Sequence, residues 1–220
     1  MGKSIFITAT DTGVGKTTVS AALAYLLKEK GYKVGYFKPV ETGCSPDCLD
    51  ASTLAQITGQ PVDEIVLYRF KTPVAPLVAE EIEGVQINLE NIFSHLDKLI
   101  SKYDYLIVEG AGGIKVPITR RDEEIFTYLD FVYETKMPVL VVARASLGTI
   151  NHTTLTIDVL NSINADIIGI VMNGFSEDKN ELYNPYIIEE MTGIPVIWKC
   201  KKAKNPVIEC LENIPVDLFI

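Results

Sequence analysis

The beginning of the chain constrains the fold most. Residues 4–31 read SIFITAT and then DTGVGKTTVSAALAYLLKEKG, which is an apolar strand-like run, a glycine-bearing loop and a helical stretch. Gly15, Lys16 and Thr17 match the end of the phosphate-binding pattern G-x-x-x-x-G-K-[ST] in its usual setting between a strand and a helix. Thr10 stands where that pattern has its first glycine. An ordinary strand-to-helix turn that happens to carry a lysine is the alternative.

The rest of the chain repeats this alternation of strands and helices. Further strand-like runs lie at 34–39, 65–68, 105–109, 139–143, 167–172 and 196–198. Apolar residues at three- and four-residue spacing predict helices at 17–30, 89–101, 127–135, 150–163 and 182–192. We therefore predict an α/β, P-loop NTPase-like fold with a mostly parallel seven-stranded sheet and helices on both faces. With 220 residues, 47% of them hydrophobic, the chain should form a single domain over residues 1–220.

The composition limits the kinds of molecule that the protein is expected to bind. A net charge of -9 argues against binding to nucleic acid or to anionic membranes, because both reward a positive surface. No apolar run approaches the roughly 18 residues of a membrane helix. Four cysteines without an obvious pairing framework suit the reducing cytoplasm, so we expect free thiols. Cys44 and Cys48 are close in sequence, but the lack of a second Cys or His pair at zinc spacing disfavours zinc.

The loop residues have assignable roles if the loop binds a nucleotide. Backbone N–H groups of residues 13–18 would point at phosphate oxygens, helped by the positive end of the helix dipole. Lys16 would place a positive charge on the β- and γ-phosphates. The hydroxyl of Thr17 would lie where Mg²⁺ binds.

Two strand ends carry charged residues that would meet this loop, because ligands of parallel sheets bind beyond the carboxyl ends of the strands. Lys38 closes the second strand and could be a second cation for the transferring phosphoryl group or for an anionic acceptor; a solvated surface lysine is the alternative. Glu109 ends a buried strand before a glycine-rich turn and could help to hold the metal, or the turn could be structural only. Asp50 could cap the next helix or be a further magnesium ligand.

Together these motifs resemble a known family. TDTGVGKT, KPVETG, LDAS, VEGAGG and LGTINHTTLT, in this order, are similar to those of dethiobiotin synthetase, whose loop also lacks the first glycine. The resemblance spans residues 4 to about 175. It implies an ATP-dependent cyclo-ligase that carboxylates and closes 7,8-diaminononanoate (7,8-diaminopelargonate) with CO₂ to dethiobiotin, ADP and phosphate, through a carbamate and a carbamic-phosphoric anhydride. This is the penultimate step of biotin biosynthesis.

The resemblance also assigns roles by position. It implies Mg²⁺ and ATP, a cytoplasmic homodimer, and a substrate site at the subunit interface, with neither nucleic acid nor membrane as a partner. The implied catalytic residues are Lys38, Lys16 and Thr12, and the implied magnesium ligands are Thr17, Asp50 and Glu109. The implied nucleotide contacts are Gly13, Val14, Gly15, Lys16, Thr17, Thr18, Asp50, Glu109, Gly110, Ala111 and Gly112, with Asn173 facing adenine. The implied substrate contacts are Thr42 and Lys38, with Gly148, Thr149, Ile150 and Asn151 for the carboxylate. His152 is expected to be a packing residue beside them.

Other functions compete with this interpretation. A partitioning-type ATPase switch shares the predicted architecture, but Asp11 stands where those proteins carry a signature lysine. An amide-forming ligase of the kind related to cobalamin biosynthesis normally brings a glutaminase domain. The segment IPVIWKCKKAKNP, at residues 194–206, departs from the family pattern for contacts to the base and leaves nucleotide selectivity open.

Overall fold

The computed structural model describes residues 2–176, 179–211 and 214. Its strands are β1 (Lys3–Ala9), β2 (Val34–Phe37), β3 (Val40–Thr42), β4 (Tyr68–Phe70), β5 (Tyr105–Glu109), β6 (Pro117–Arg121), β7 (Glu124–Thr127), β8 (Val139–Arg144), β9 (Ile167–Phe175) and β10 (Val196–Lys201). Its helices are α1 (Lys16–Glu29), α2 (Leu49–Thr58), α3 (Val62–Ile65), α4 (Pro76–Glu83), α5 (Leu89–Lys102), α6 (Tyr128–Thr135), α7 (Thr149–Asn161), α8 (Lys179–Leu182), α9 (Asn184–Thr192) and α10 (Pro206–Leu211).

Six parallel strands form the main sheet in the order β10-β9-β8-β1-β5-β2. The predicted α/β class is confirmed, and the five predicted helices correspond to α1, α5, α6, α7 and α9 with small shifts at their ends. β1 lies in the middle of this order. The loop that follows β1 therefore opens at the centre of the carboxyl edge of the sheet.

The predicted seventh strand, at residues 65–68, is wrong. Ile65 ends the short helix α3, which starts after Pro61 and has Asp63 and Glu64 in its first turn. Proline and acidic residues at that position are helix-start signals, and here they override the apolar run. Strand β4 begins only at Tyr68 and pairs with β3 in a separate two-stranded sheet.

Helices cover both faces of the main sheet, as the alternation along β1 shows. Ile5 and Ile7 belong to a core shared with α1, α2 and α10. Phe6 faces the other way, into a core shared with α5, α6, α7 and α9. Strands buried on both faces are typical of parallel sheets. No helix in the part of the chain that the structure describes has the length and apolar character needed to cross a membrane.

All four cysteines form disulfides, so the expectation of free thiols is wrong. Cys44 pairs with Cys48 and Cys200 pairs with Cys210. The argument for a reducing compartment loses its basis, and the Cys44 and Cys48 thiols are not free to bind zinc. Sequence spacing did not reveal these pairs, because the first depends on the turn between β3 and α2 and the second on α10 packing beside β10.

The Cys200–Cys210 bond should stabilise the end of the chain by restricting its unfolded state. Trp198 belongs to the same buried core as Cys200 and Cys210, and its Nε1 donates a hydrogen bond to the carbonyl of Cys210 at 2.9 Å. In a background carrying Cys44→Ser and Cys48→Ser, dithiothreitol should lower the free energy of unfolding by about 2–3 kcal/mol. Urea unfolding measures this. An additional Cys200→Ser change should abolish the response to dithiothreitol, whereas an unresponsive background protein would contradict the pairing.

Candidate active site

A cavity of about 270 Å³ lies at the carboxyl edge of the sheet, where the loop after β1 meets the ends of β2, β3 and β5 and the start of α2. It is lined by Thr12, Gly13, Gly15, Lys16, Thr17, Lys38, Glu41, Thr42, Asp50, Glu109, Ala111 and Gly112. Each of these except Glu41 is a site residue predicted from the sequence. The fold therefore brings together side chains that are almost 100 positions apart.

The phosphate loop depends on a glycine conformation. Gly15, the N-cap of α1, has φ +100, in the left-handed region that favours glycine. A Cβ added there would lie 1.9 Å from Nδ2 of Asn173, which in turn donates to the carbonyl of Val14 at 2.9 Å. Asn173 thus lies directly against the loop, as a nucleotide-contacting residue must, and part of its hydrogen-bonding capacity holds the loop itself.

Lys38 is a buried cation between two carboxylates. Its Nζ is in direct contact with Asp50 and lies 3.2 Å from Oε1 of Glu109. Burial lowers the pKa of the ammonium, but attraction to Glu109 and Asp50 outweighs this effect and holds the pKa above its ordinary value. Lys38 therefore stays charged near neutral pH. The alternative of a solvated surface lysine is excluded because the side chain is only 6% exposed.

Glu109 is the fully buried centre of this cluster. Its Oε1 accepts a hydrogen bond from Thr17 Oγ1 at 3.0 Å, and its Oε2 accepts one from Ser20 Oγ at 2.6 Å. Sequence reasoning missed Ser20. The available signal was its spacing, because a residue three positions after Thr17 lies on the same face of α1.

Asp50 lies in the first turn of α2, where the N-cap position belongs to Cys48. The capping alternative for Asp50 is therefore wrong, since its carboxylate pairs with Lys38. Burial raises the pKa of this carboxyl, but Lys38 lowers it more, and the net pKa lies below the ordinary value. Burial also lowers the pKa of Lys16, with Glu109 acting in the opposite direction.

The predicted metal ligands form a set of oxygen donors. Thr17 and Glu109 are hydrogen-bonded to each other, and Asp50 meets them through the shared Lys38 ammonium. A hydroxyl and two carboxylates beside a phosphate loop match what Mg²⁺ takes from proteins when phosphates supply further ligands. The residues present therefore fit a magnesium ion.

A larger cavity of about 610 Å³ adjoins the first, and Thr12 lines both. The larger cavity is lined by Ala9, Thr10, Asp11, Thr12, Gly113, Ile114, Lys115, Val116, Pro117, His152, Leu155, Thr156 and Val159. His152 is exposed on its wall, so the expectation of a packing histidine is wrong. The two neighbouring cavities offer a charged compartment for phosphates and a larger, more apolar compartment for an acceptor.

The four residues of the predicted carboxylate site do not line either cavity, although the next residue, His152, lines the larger one. Gly148 is the N-cap of α7 with φ +92, and Thr149, Ile150 and Asn151 form the first turn. Leu147, next to them, is 98% exposed. Within one chain the structure therefore does not bring this helix start to Lys38.

Comparisons with known proteins agree with this geometry. The AAA domain family model matches residues 3–201. The ATP-dependent dethiobiotin synthetase BioD of Aquifex aeolicus (strain VF5) is 48% identical over 215 residues, covering 97% of this chain and 93% of the relative. The enzyme of the same name from Hydrogenobaculum sp. (strain Y04AAS1) is 41% identical and covers 96% of each chain.

Solved structures of distant proteins share the architecture. A ParA family ATPase from Chlorobium tepidum TLS superposes with a TM-score of 0.61 at 14% identity, covering 100% of this chain and 99% of the other. The MinD cell division protein of Aquifex aeolicus gives a TM-score of 0.59 at 16% identity, covering 99% of this chain and 89% of the other. At such low identity these likenesses show the P-loop NTPase fold alone.

Proposed function

This chain belongs to the ATP-dependent dethiobiotin synthetase family of biotin biosynthesis, and from that premise we propose that it closes the ureido ring of dethiobiotin from 7,8-diaminononanoate, CO₂ and MgATP. The observation that carries the proposal is the convergence of Lys16 and Lys38 on one small cavity with Thr17, Asp50 and Glu109. Such a site can bring an anionic acceptor to an anionic donor.

The reaction begins when one amine of the substrate adds to CO₂ and loses a proton, which gives a carbamate. A carbamate oxygen attacks the γ-phosphorus of ATP, the bond to the β-phosphate oxygen breaks, and ADP leaves. The second amine then attacks the carbonyl carbon of the mixed anhydride and loses a proton, and phosphate leaves with the bridging oxygen. Both reactants of the phosphoryl transfer are anions, so their approach needs fixed positive charge.

Lys16 and Lys38 supply that charge from this chain. Lys16 is the first residue of α1, close to where the phosphates would lie on the helix N-terminus. Lys38 pairs with both Asp50 and Glu109, and it can exchange these partners for phosphate and carbamate oxygens when the ligands bind. Thr17, Asp50 and Glu109 would hold Mg²⁺, which when bound adds positive charge at the β- and γ-phosphates.

Thr12 and Thr42 are the candidate contacts to the acceptor. Thr12 lines both cavities. Thr42, at the end of β3, lines the smaller cavity, which contains Lys16 and Lys38 and is called the phosphate cavity below. The hydrocarbon chain of the substrate suits the larger cavity, whose wall includes Val116 and Leu155. Asn173, against the loop, is the candidate contact to adenine.

We further propose that the enzyme works as a homodimer. The start of α7, from Gly148 to Asn151, lies outside both cavities and next to the exposed Leu147, which suits contact with the substrate of a second subunit. A helix N-terminus is suited to bind a carboxylate. Residues 1–220 would act as one domain, because both cores share the main sheet, and the use of ATP favours a cytoplasmic site of action.

The proposal predicts that phosphate release requires the diamine and that one phosphate forms for each ring closed. With ¹⁸O-labelled bicarbonate, an oxygen from CO₂ should appear in the released phosphate, because the bridging oxygen leaves with phosphorus. Mass spectrometry of dethiobiotin and phosphate measures both outcomes. Phosphate release that ignores the diamine would instead favour the partitioning-type switch. Repeating the assay with GTP and CTP tests the nucleotide selectivity that the unusual segment at residues 194–206 leaves open.

A further inference from the structure

The start of helix α2 has no local cap. Cys48 occupies the N-cap position without a side-chain hydrogen bond to the first turn. The first N–H groups of a helix need acceptors from elsewhere. Glu41, in β3, supplies them: its Oε1 accepts from the N–H of Asp50 at 2.9 Å, and its Oε2 accepts from the N–H of Ala51 at 3.0 Å. Both oxygens of one carboxylate thus bind the first turn of α2.

Glu41 is suited to this task by its position. It is only 5% exposed, so its two hydrogen bonds are formed away from bulk water. A negative charge at a helix N-terminus is also favourable, because it complements the helix dipole. Each oxygen of Glu41 already accepts a hydrogen bond from a backbone N–H group. The carboxylate is therefore engaged with the helix and is not a free ligand in the cavity.

The turn that Glu41 holds is the turn that carries Asp50. Asp50 reaches from it to Lys38, and Lys38 reaches Glu109. The Cys44–Cys48 bridge joins the same turn to the loop after β3. A strand side chain and a covalent link therefore fix α2 relative to the floor of the phosphate cavity.

We propose that Glu41 is a positioning residue for the magnesium site, which it serves by fixing the first turn of α2 so that Asp50 faces Thr17 and Glu109. This inference rests on the proposed function, since it presupposes that Asp50 helps to hold Mg²⁺. Groups that orient metal ligands commonly contribute 10- to 100-fold in metal affinity without touching the metal.

The test compares nucleotide affinity with and without magnesium. A fluorescent ATP analogue is titrated into the wild type and into Glu41→Gln, once with EDTA and once over a range of Mg²⁺ concentrations. Glutamine keeps the size of the side chain but has one acceptor oxygen in place of two. The variant should bind the nucleotide analogue with unchanged affinity in EDTA. It should need at least about 10-fold more Mg²⁺ than the wild type for the same increase in nucleotide affinity. Excess Mg²⁺ should restore most of the turnover.

Asn88→Ala is the matched control. Asn88 caps α5 by accepting from the N–H of Asn91 at 3.1 Å, so this change also removes a helix cap, but far from the phosphate cavity. It should leave the Mg²⁺ response unchanged. Asp50→Asn, which alters the proposed ligand itself, should resemble Glu41→Gln in its magnesium response.

The possible outcomes separate the two claims. If Mg²⁺ tightens nucleotide binding equally in the wild type and in Glu41→Gln, this inference is overturned and the proposed function is not. Loss of metal-free nucleotide affinity in Glu41→Gln would also overturn it, because Glu41 would then maintain the fold and not the metal site. A wild type indifferent to Mg²⁺ would remove the magnesium assignment of the proposed function, and this inference with it.

Discussion

Lys38→Ala is expected to reduce dethiobiotin formation by about 10²- to 10³-fold or more while MgATP still binds. The phosphate loop, with Lys16, keeps its contacts to the nucleotide. The loss should fall on phosphoryl transfer, because the change removes the second cation that can lie between carbamate and γ-phosphate. Steady-state turnover and nucleotide titration on the same samples separate the two effects.

The same variant should also be less stable without magnesium. Asp50 and Glu109 would lose their shared ammonium, and an unpaired buried carboxylate costs about 3–5 kcal/mol. Mg²⁺ with ATP should recover much of this loss by pairing with the carboxylates. Lys102→Ala is the control, since Lys102 pairs with Glu64 at a surface where its side chain is 46% exposed, and such pairs contribute about 1 kcal/mol or less. Near-normal turnover of Lys38→Ala would refute the assigned role.

Gly15→Ala is expected to reduce activity more than any other glycine-to-alanine substitution in the phosphate loop. The new Cβ would meet Nδ2 of Asn173 at 1.9 Å, and the left-handed backbone adds about 1–2 kcal/mol of strain. Either the Asn173 amide gives up its hydrogen bond to Val14 or the loop moves, and displacements of about 1 Å at such sites cost on the order of 10²-fold in rate. We expect a loss of at least this size in activity at limiting ATP, together with weaker nucleotide binding.

Gly31→Ala is the control for placing alanine in a left-handed backbone conformation away from the phosphate loop. Gly31 follows the other end of α1 with φ +89, and a Cβ added there has no atom within 4 Å. Its substitution should cost about 1 kcal/mol of stability and leave activity unchanged. Equal losses of activity in the two variants would contradict the claim that the Gly15→Ala loss arises in the phosphate loop.

The sequence predicted the parts of the site that lie at the ends of regular elements. Lys38 and Glu109 follow apolar strands, so their convergence on the loop at Gly15 followed from the parallel sheet alone. Local signals were present but missed for α3, where Pro61 precedes two acidic residues. The apolar run at residues 65–68 favours a strand, but short apolar runs do not distinguish strand from helix.

Other features could not be predicted, because they depend on how distant segments meet. Glu41 caps a helix that begins eight residues later, and nothing in its local sequence indicates that both of its oxygens are used. Asn173 holds the carbonyl of Val14 across 159 positions. The pairing of Cys200 with Cys210 requires α10 to fold back on β10. Each of these contacts forms only when the folded chain brings the two segments together.

The central claim is that Lys38 leaves its two carboxylates and joins the reactants when they bind. A crystal structure with the diamine, a non-hydrolysable ATP analogue and Mg²⁺ tests this most directly. We predict the Lys38 ammonium within hydrogen-bond distance of a γ-phosphate oxygen, with Asp50 and Glu109 facing the metal. An ammonium turned away from both reactants in that complex would contradict the account.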